Sequence, residues 1–149
     1  MEFFKLTPTR ITPSLCNQVP ALFAQLNDRM SPVDLAVVME SSHSKIHGVA
    51  CTSGEKLVGM AFLAVYKTLS GHKGMVEDVV VHMEHRKQGI AKRLMQLLLE
   101  EAEKEKLDQV LLYTGYHRKP AMALYESLGF QKKESSIYSY VLGKTTPSR

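Results

Sequence analysis

Two carboxylates stand side by side in an otherwise apolar run, Glu77 and Asp78 in "MVEDVVVH" at residues 75–82. A carboxylate in a buried strand loses hydration and its pKa rises, which suits a proton acceptor. Strand alternation puts Glu77, Val79 and Val81 on one face and Asp78 on the other, unless a β-bulge interrupts the strand. Just downstream, "HRKQGIAKRLM" at 85–95 crowds Arg86, Lys87, Lys92 and Arg93 around the start of a helix. The aligned peptide dipoles already place partial positive charge there, so the arrangement costs energy unless an anion is present. Free backbone N–H groups at such a terminus bind phosphate. Gly89 lets the backbone approach an oxygen ligand and Ala91 is small enough not to block it, so the expected ligand is a diphosphate.

Two familiar phosphate loops do not match. Neither G-x-x-x-x-G-K-[ST] nor G-x-G-x-x-G is present, which counts against nucleotide hydrolysis and dinucleotide redox chemistry. The net charge of +4 on 149 residues is mild, and no aromatic-plus-basic stripe accompanies it, so nucleic acid is not the expected partner. Cys16 and Cys51 lie far apart without metal spacing and read as free thiols of a reducing compartment. His43 and His47 share i,i+4 spacing in a loop-like stretch with no third ligand, and His82 and His85 cap a turn or face solvent, so no metal is expected. Glu2, Lys5 and Pro8 interrupt the window a signal peptide needs, and no run approaches the ~18 apolar residues of a membrane span. The expected location is cytoplasmic, without a membrane partner.

The elements that must position these residues follow from periodicity. "FFKL" suits a first strand; Thr12-Pro13 and Ser31-Pro32 each read as a helix start, for helices at about 13–27 and over "VDLAVVMES". "SSHSKIHG" reads as a loop. "GVACTS" and "KLVGMAFLAVYKT", joined by "GE", form a hairpin that "MVEDVVVH" extends by a third strand. From Gln88 to Lys106 the spacing is helical, with Glu100 and Lys104 able to pair outside; "DQVLLYT" is then a buried strand and "PAMALYESL" a last helix. "SSIYSYVL" closes the domain as an edge or terminal strand, ahead of a frayed tail at about 143–149. The expectation is one domain over 1–149, of α/β (α+β) class, in the order β-α-α-β-β-β-α-β-α-β.

Arg86-Lys87-Gln88-Gly89-Ile90-Ala91 matches the [RQ]-x-x-G-x-[GA] pattern, and "AMALYESLGF" follows about 30 residues later. With these two motifs the sequence resembles the GNAT superfamily of acyl-CoA-dependent N-acyltransferases over nearly the whole chain. The resemblance implies the GNAT fold, a mixed and mostly antiparallel central sheet flanked by helices. It makes the anion the pyrophosphate of acetyl-CoA, held by backbone N–H groups from Lys87 to Lys92, with the pantetheine arm paired to the backbone of Val79, Val80 and Val81. Glu77 becomes the base and Tyr125 the general acid at the CoA sulfur, with Ala121 on the same face of the last helix.

Where many members carry an asparagine on the pantetheine arm this chain has Arg118, which the resemblance assigns to a CoA phosphate or an acidic part of the substrate. His117 is a candidate for the acceptor site, and Asp78 for a second base or a contact to substrate ammonium. The implied activity is transfer of acetyl from acetyl-CoA to a primary amine of a small molecule or peptide by direct attack. A non-catalytic acyl-CoA-binding regulatory module is the alternative. The fold often dimerises through its terminal strands, and "YSYV" could supply such an edge to a homodimer.

Overall fold

In the computed structural model, which describes residues 1–143, Gly54-Glu55 turns the chain between β2 (Lys45–Ser53) and β3 (Lys56–Thr68). β1 (Glu2–Lys5) pairs antiparallel with β2, and β4 (Gly71–Val81) antiparallel with β3. β5 (Gln109–Leu112) runs parallel to β4, giving one sheet in the order β1-β2-β3-β4-β5. A parallel neighbour needs a crossover, and α3 (Ile90–Lys104) supplies it.

Alternation along the strands builds two cores. Val49, Cys51, Ala61 and Leu63 face α3 and meet its stripe of Leu94, Met95, Leu98 and Ala102. The residues between them, Ala50, Met60 and Phe62, face the opposite way and meet Leu15, Val19, Leu22 and Phe23 of α1 (Pro13–Ala24) and Leu35 of α2 (Leu35–Glu40). Cys16 and Cys51 lie in opposite cores and are free thiols. Gly59 sets the seat of α3: a Cβ there would meet Ile90 Cγ2 at 3.0 Å and Leu94 Cδ1 at 3.1 Å, so its absence lets the first turn of the helix rest on β3.

Several expectations are corrected. α1 stops at Ala24, and α2 begins at Leu35 because Asp34, rather than Ser31, caps it by accepting from the N–H groups of Ala36 (2.9 Å) and Val37 (3.3 Å). The expected loop at 41–48 is half strand, since β2 starts at Lys45. β5 is only half-buried. The expected final strand at 135–142 joins no sheet among the described residues, leaving Tyr138 and Tyr140 largely exposed. The expected tail lies outside the described residues beyond Gly143. Among the described residues no helix is long and apolar enough to cross a membrane.

The far end of α3 is pinned by a charge cluster that periodicity did not foretell. Glu101 is 7% exposed and pairs with Lys5, with Lys104 at 3.0 Å and with His47 Nδ1 at 3.4 Å. The expected Glu100–Lys104 pair does not form, because Glu100 takes Arg93 at 3.2 Å. Burial acts to raise the Glu101 carboxyl, but hydrogen bonds and charge from Lys5 and Lys104 outweigh it and hold the group below its ordinary value. A carboxylate with a depressed folded pKa stabilises the fold above its unfolded value, and the contribution is lost as pH falls through the folded one. Glu101→Gln is therefore expected to cost about 2 kcal/mol at neutral pH, or about 4–8 °C in Tm. Thermal melts should show that gap closing below about 4.5.

Candidate active site

The register of β3 against β4 slips where the carboxylates sit. Met60 pairs with Val80 and Phe62 with Glu77, so Ala61 alone opposes both Asp78 and Val79. This is a β-bulge, and Asp78 takes it at φ +52°, a left-handed conformation that aspartate tolerates better than most residues. The extra residue resets the alternation. Val79 and Val81 pack on the α3 core and Val80 on the α1/α2 core, while Glu77 and Asp78 both line the cavity on the α1/α2 side. The uninterrupted alternation is thereby corrected: Glu77 leaves the face of Val79 and Val81, and the two carboxylates converge. Contrary to the expected burial, both carboxylates are exposed at the cavity; partial loss of hydration still raises Glu77, with the neighbouring Asp78 charge adding to it, and raises Asp78.

That cavity measures about 530 Å³ and is walled by α1, the loop after it and α2, including Phe23, Leu26, Met30, Val33 and Val38. Of its lining residues, the sequence singled out only Glu77 and Asp78 as candidates for chemistry. The available signal was the set of apolar residues Met30, Val33, Leu35 and Val38, in and beyond a short connection that would otherwise be polar.

From the bulge, β4 leads directly to the cationic turn. His82 N–H bonds the Val58 carbonyl at 2.8 Å, and His82 Nδ1 caps a single 3₁₀ turn, Met83–His85, by accepting from Glu84 N–H at 3.3 Å. Met83 N–H donates to Gln25 Oε1 at 2.7 Å, and Lys56 reaches Glu84 at 3.3 Å, so α1 and β3 hold the turn from two sides. Lys87 at φ +60° and Gly89 at φ +76° then bend the chain into α3. Gly89 is the N-cap, and no side chain satisfies the open N–H groups that follow it.

The four cations divide their work. Arg86 turns back to donate from Nε to the Val81 carbonyl at 3.1 Å, and Arg93 points along the helix to Glu100. Lys87 and Lys92 make no ion pair among the described residues and are the two left to face an anion. His82, Glu84 and His85 hold their ligating atoms within 4.8 Å of one another, but Glu84 is already engaged by Lys56 and His82 by the turn.

β4 and β5 stay paired only from Lys73↔Gln109 to Val76↔Leu112. Beyond Val76 the ladder ends, and among the described residues no strand pairs with 77–81 on the β5 side. α4 (Lys119–Ser127) follows this gap, and its Tyr125 packs on the α3 core that also receives Val79, Val81 and Leu112. The Tyr125 ring meets Phe130 edge-on, with centroids 6.1 Å apart. Burial raises the Tyr125 hydroxyl, against a smaller pull downward from the nearby Arg118 charge, so it stays protonated at neutral pH. Tyr125 and the carboxylates thus approach the split strand from opposite faces of the sheet.

Arg118 is the N-cap of α4, and Ala121 is half-buried on the same helix. His117 is exposed in the preceding loop, its ring lying against Gly115, and it is not among the residues lining the cavity.

Residues 18–130 match the acetyltransferase (GNAT) family. The chain belongs to that family. Human N-acetyltransferase 8 is 40% identical over 88 residues, 58% of this chain and 39% of its own length. An uncharacterized N-acetyltransferase of Bacillus subtilis, YsnE, is 32% identical over 117 residues, 71% of this chain and 76% of its own. The chain spans less than half the length of the mammalian relatives it matches. Among solved structures, an aminoglycoside acetyltransferase from an uncultured soil metagenomic sample superposes with a TM-score of 0.79 at 16% identity, covering 96% of each chain, which is a likeness of GNAT fold.

Proposed function

We propose that the protein is an N-acetyltransferase that moves acetyl from acetyl-CoA to a primary amine by direct attack, with Glu77 as base and Tyr125 as acid. The observation that carries this reading is the bulge at Asp78, which turns two raised carboxylates into an open cavity on one side of a split strand that has Tyr125 on the other.

The residues present fit acetyl-CoA. The open N–H groups after Gly89, with Lys87 and Lys92 beside them, suit a pyrophosphate, and the β5-side edge of Val79, Val80 and Val81 suits the amides of a pantetheine arm, which would displace Arg86 Nε from the Val81 carbonyl. Gln88, Ile90, Ala91 and Arg86 complete the turn, and Arg118 brings a further cation near Tyr125. Acetyl-CoA supplies the acyl group as a thioester, already activated for attack by an amine.

The chain's own residues then manage two protons. An ammonium with a pKa near ~10 reacts only after losing one, and Glu77 takes it on the way to solvent. Having passed the first proton to solvent, Glu77 takes the second from nitrogen as the C–N bond replaces the C–S bond; the departing sulfur receives a proton from the Tyr125 hydroxyl, which solvent then reprotonates. Asp78 lies beside Glu77 and holds the substrate ammonium in place. The exposed apolar segment around Tyr138 and Tyr140 is the surface a homodimer would cover.

The test is release of free CoA thiol from acetyl-CoA over a panel of amines, with product mass followed in parallel. Amine-dependent release with equimolar acetylated product is expected. Tight acetyl-CoA binding with no release across the whole panel would instead favour the regulatory acyl-CoA-binding module.

A further inference from the structure

The cavity beside Glu77 and Asp78 describes what its occupant carries. Its walls are apolar, from Phe23 and Leu26 to Val38 and Phe62, and the rim is apolar too, with Met30 50% and Val33 63% exposed. The polar lining consists of Asn27, Glu77 and Asp78, with no lysine, arginine or histidine among the lining residues. An adjoining depression that shares Met30 and Pro32 holds Arg29, together with Asp28.

An acceptor bearing a phosphate or carboxylate would bring a third negative charge toward two others with no cation to receive it. A sugar would strip many hydroxyls of water in a cavity whose only polar lining side chains are Asn27, Glu77 and Asp78, too few to replace the lost hydrogen bonds. One protonated amine on an apolar body meets neither penalty: its charge faces the carboxylates, and its carbon skeleton covers the walls. The volume of about 530 Å³ is that of a small-molecule site. We infer that the acceptor is an apolar monoamine, with an aliphatic or aromatic body and no acidic group. The inference rests on the acetyl-transfer reading above for its chemistry, and on the lining residues for its specificity.

The test compares kcat/KM for butylamine, hexylamine and octylamine, and for 2-phenylethylamine against phenylalanine, which differ by a carboxylate. Each added methylene should raise kcat/KM about fourfold until the cavity is full. Phenylethylamine should exceed phenylalanine by about 100-fold or more. Val33→Lys, on an exposed position of the rim, should narrow that second ratio and weaken octylamine without changing Tm.

A flat response to chain length, or glucosamine 6-phosphate as the best acceptor, would overturn the inference while leaving acetyl transfer intact. Calorimetric binding of the same amines in the presence of CoA separates the two ideas. Chain-length-dependent binding without any acetylated product would sink acetyl transfer and keep the apolar site. Absence of both binding and turnover would overturn both.

Discussion

Glu77→Gln is expected to lower kcat/KM for the amine by about 10²–10⁴-fold at neutral pH, with Tm unchanged or raised. The two halves of this prediction have one cause. Loss of hydration, and secondarily the Asp78 charge, raise the Glu77 carboxyl above its ordinary 4.5, so the folded state binds its proton more tightly than the unfolded chain does. For such a group stability declines as pH rises from the unfolded value through the folded one, and above that window the whole cost is incurred. Removing the charge relieves the cost, so lost activity is not lost folding. In wild type, kcat/KM should rise with pH through an inflection above 4.5 as Glu77 ionises, and the variant should lose that limb. Asp78→Asn is the internal control. If it proves more damaging than Glu77→Gln in the same pH series, the base is Asp78.

Tyr125→Phe should lower kcat by about 10²-fold while moving the acetyl-CoA KM little. The phenylalanine ring keeps the edge-on contact with Phe130 and the packing on the α3 core, so only the proton is removed. The deficit should shrink with an acyl donor whose thiol has a low pKa, because a better leaving group needs less help from an acid. An equal loss with both donors would assign the tyrosine a packing role.

The parts of the fold legible in the sequence were those where local chemistry and periodicity agree. The hairpin of β2 and β3 about Gly54-Glu55 and the helical spacing read over Gln88–Lys106 lie within short windows, and the structure keeps both, with α3 confined to Ile90–Lys104 behind Gly89. What was not legible depends on register and on distant partners. The bulge exists because Ala61 opposes two residues, a fact about the pairing of β3 with β4 that no window of either strand contains. Likewise the four cations of the turn look equivalent in sequence, yet Arg93 is drawn off by Glu100 and Arg86 by the Val81 carbonyl. Segment 135–142 has the composition of a strand, but a strand needs a partner, and none of the described residues provides one. The cavity walls come from residues spread between Val19 and Asp78, so their shared surface emerges only when α1 and α2 fold over the sheet.

The proposed reaction requires acetyl-CoA to lie between the Gly89 turn and the end of the β4–β5 ladder, and backbone amide NMR during a CoA titration tests this most directly. Shifts concentrated on the amides of Val79 to Val81 and Lys87 to Lys92 are predicted, with Tyr125 responding as the thiol end arrives. Saturable CoA binding that leaves those amides unmoved while shifting another surface would contradict the site, as would no binding at millimolar CoA.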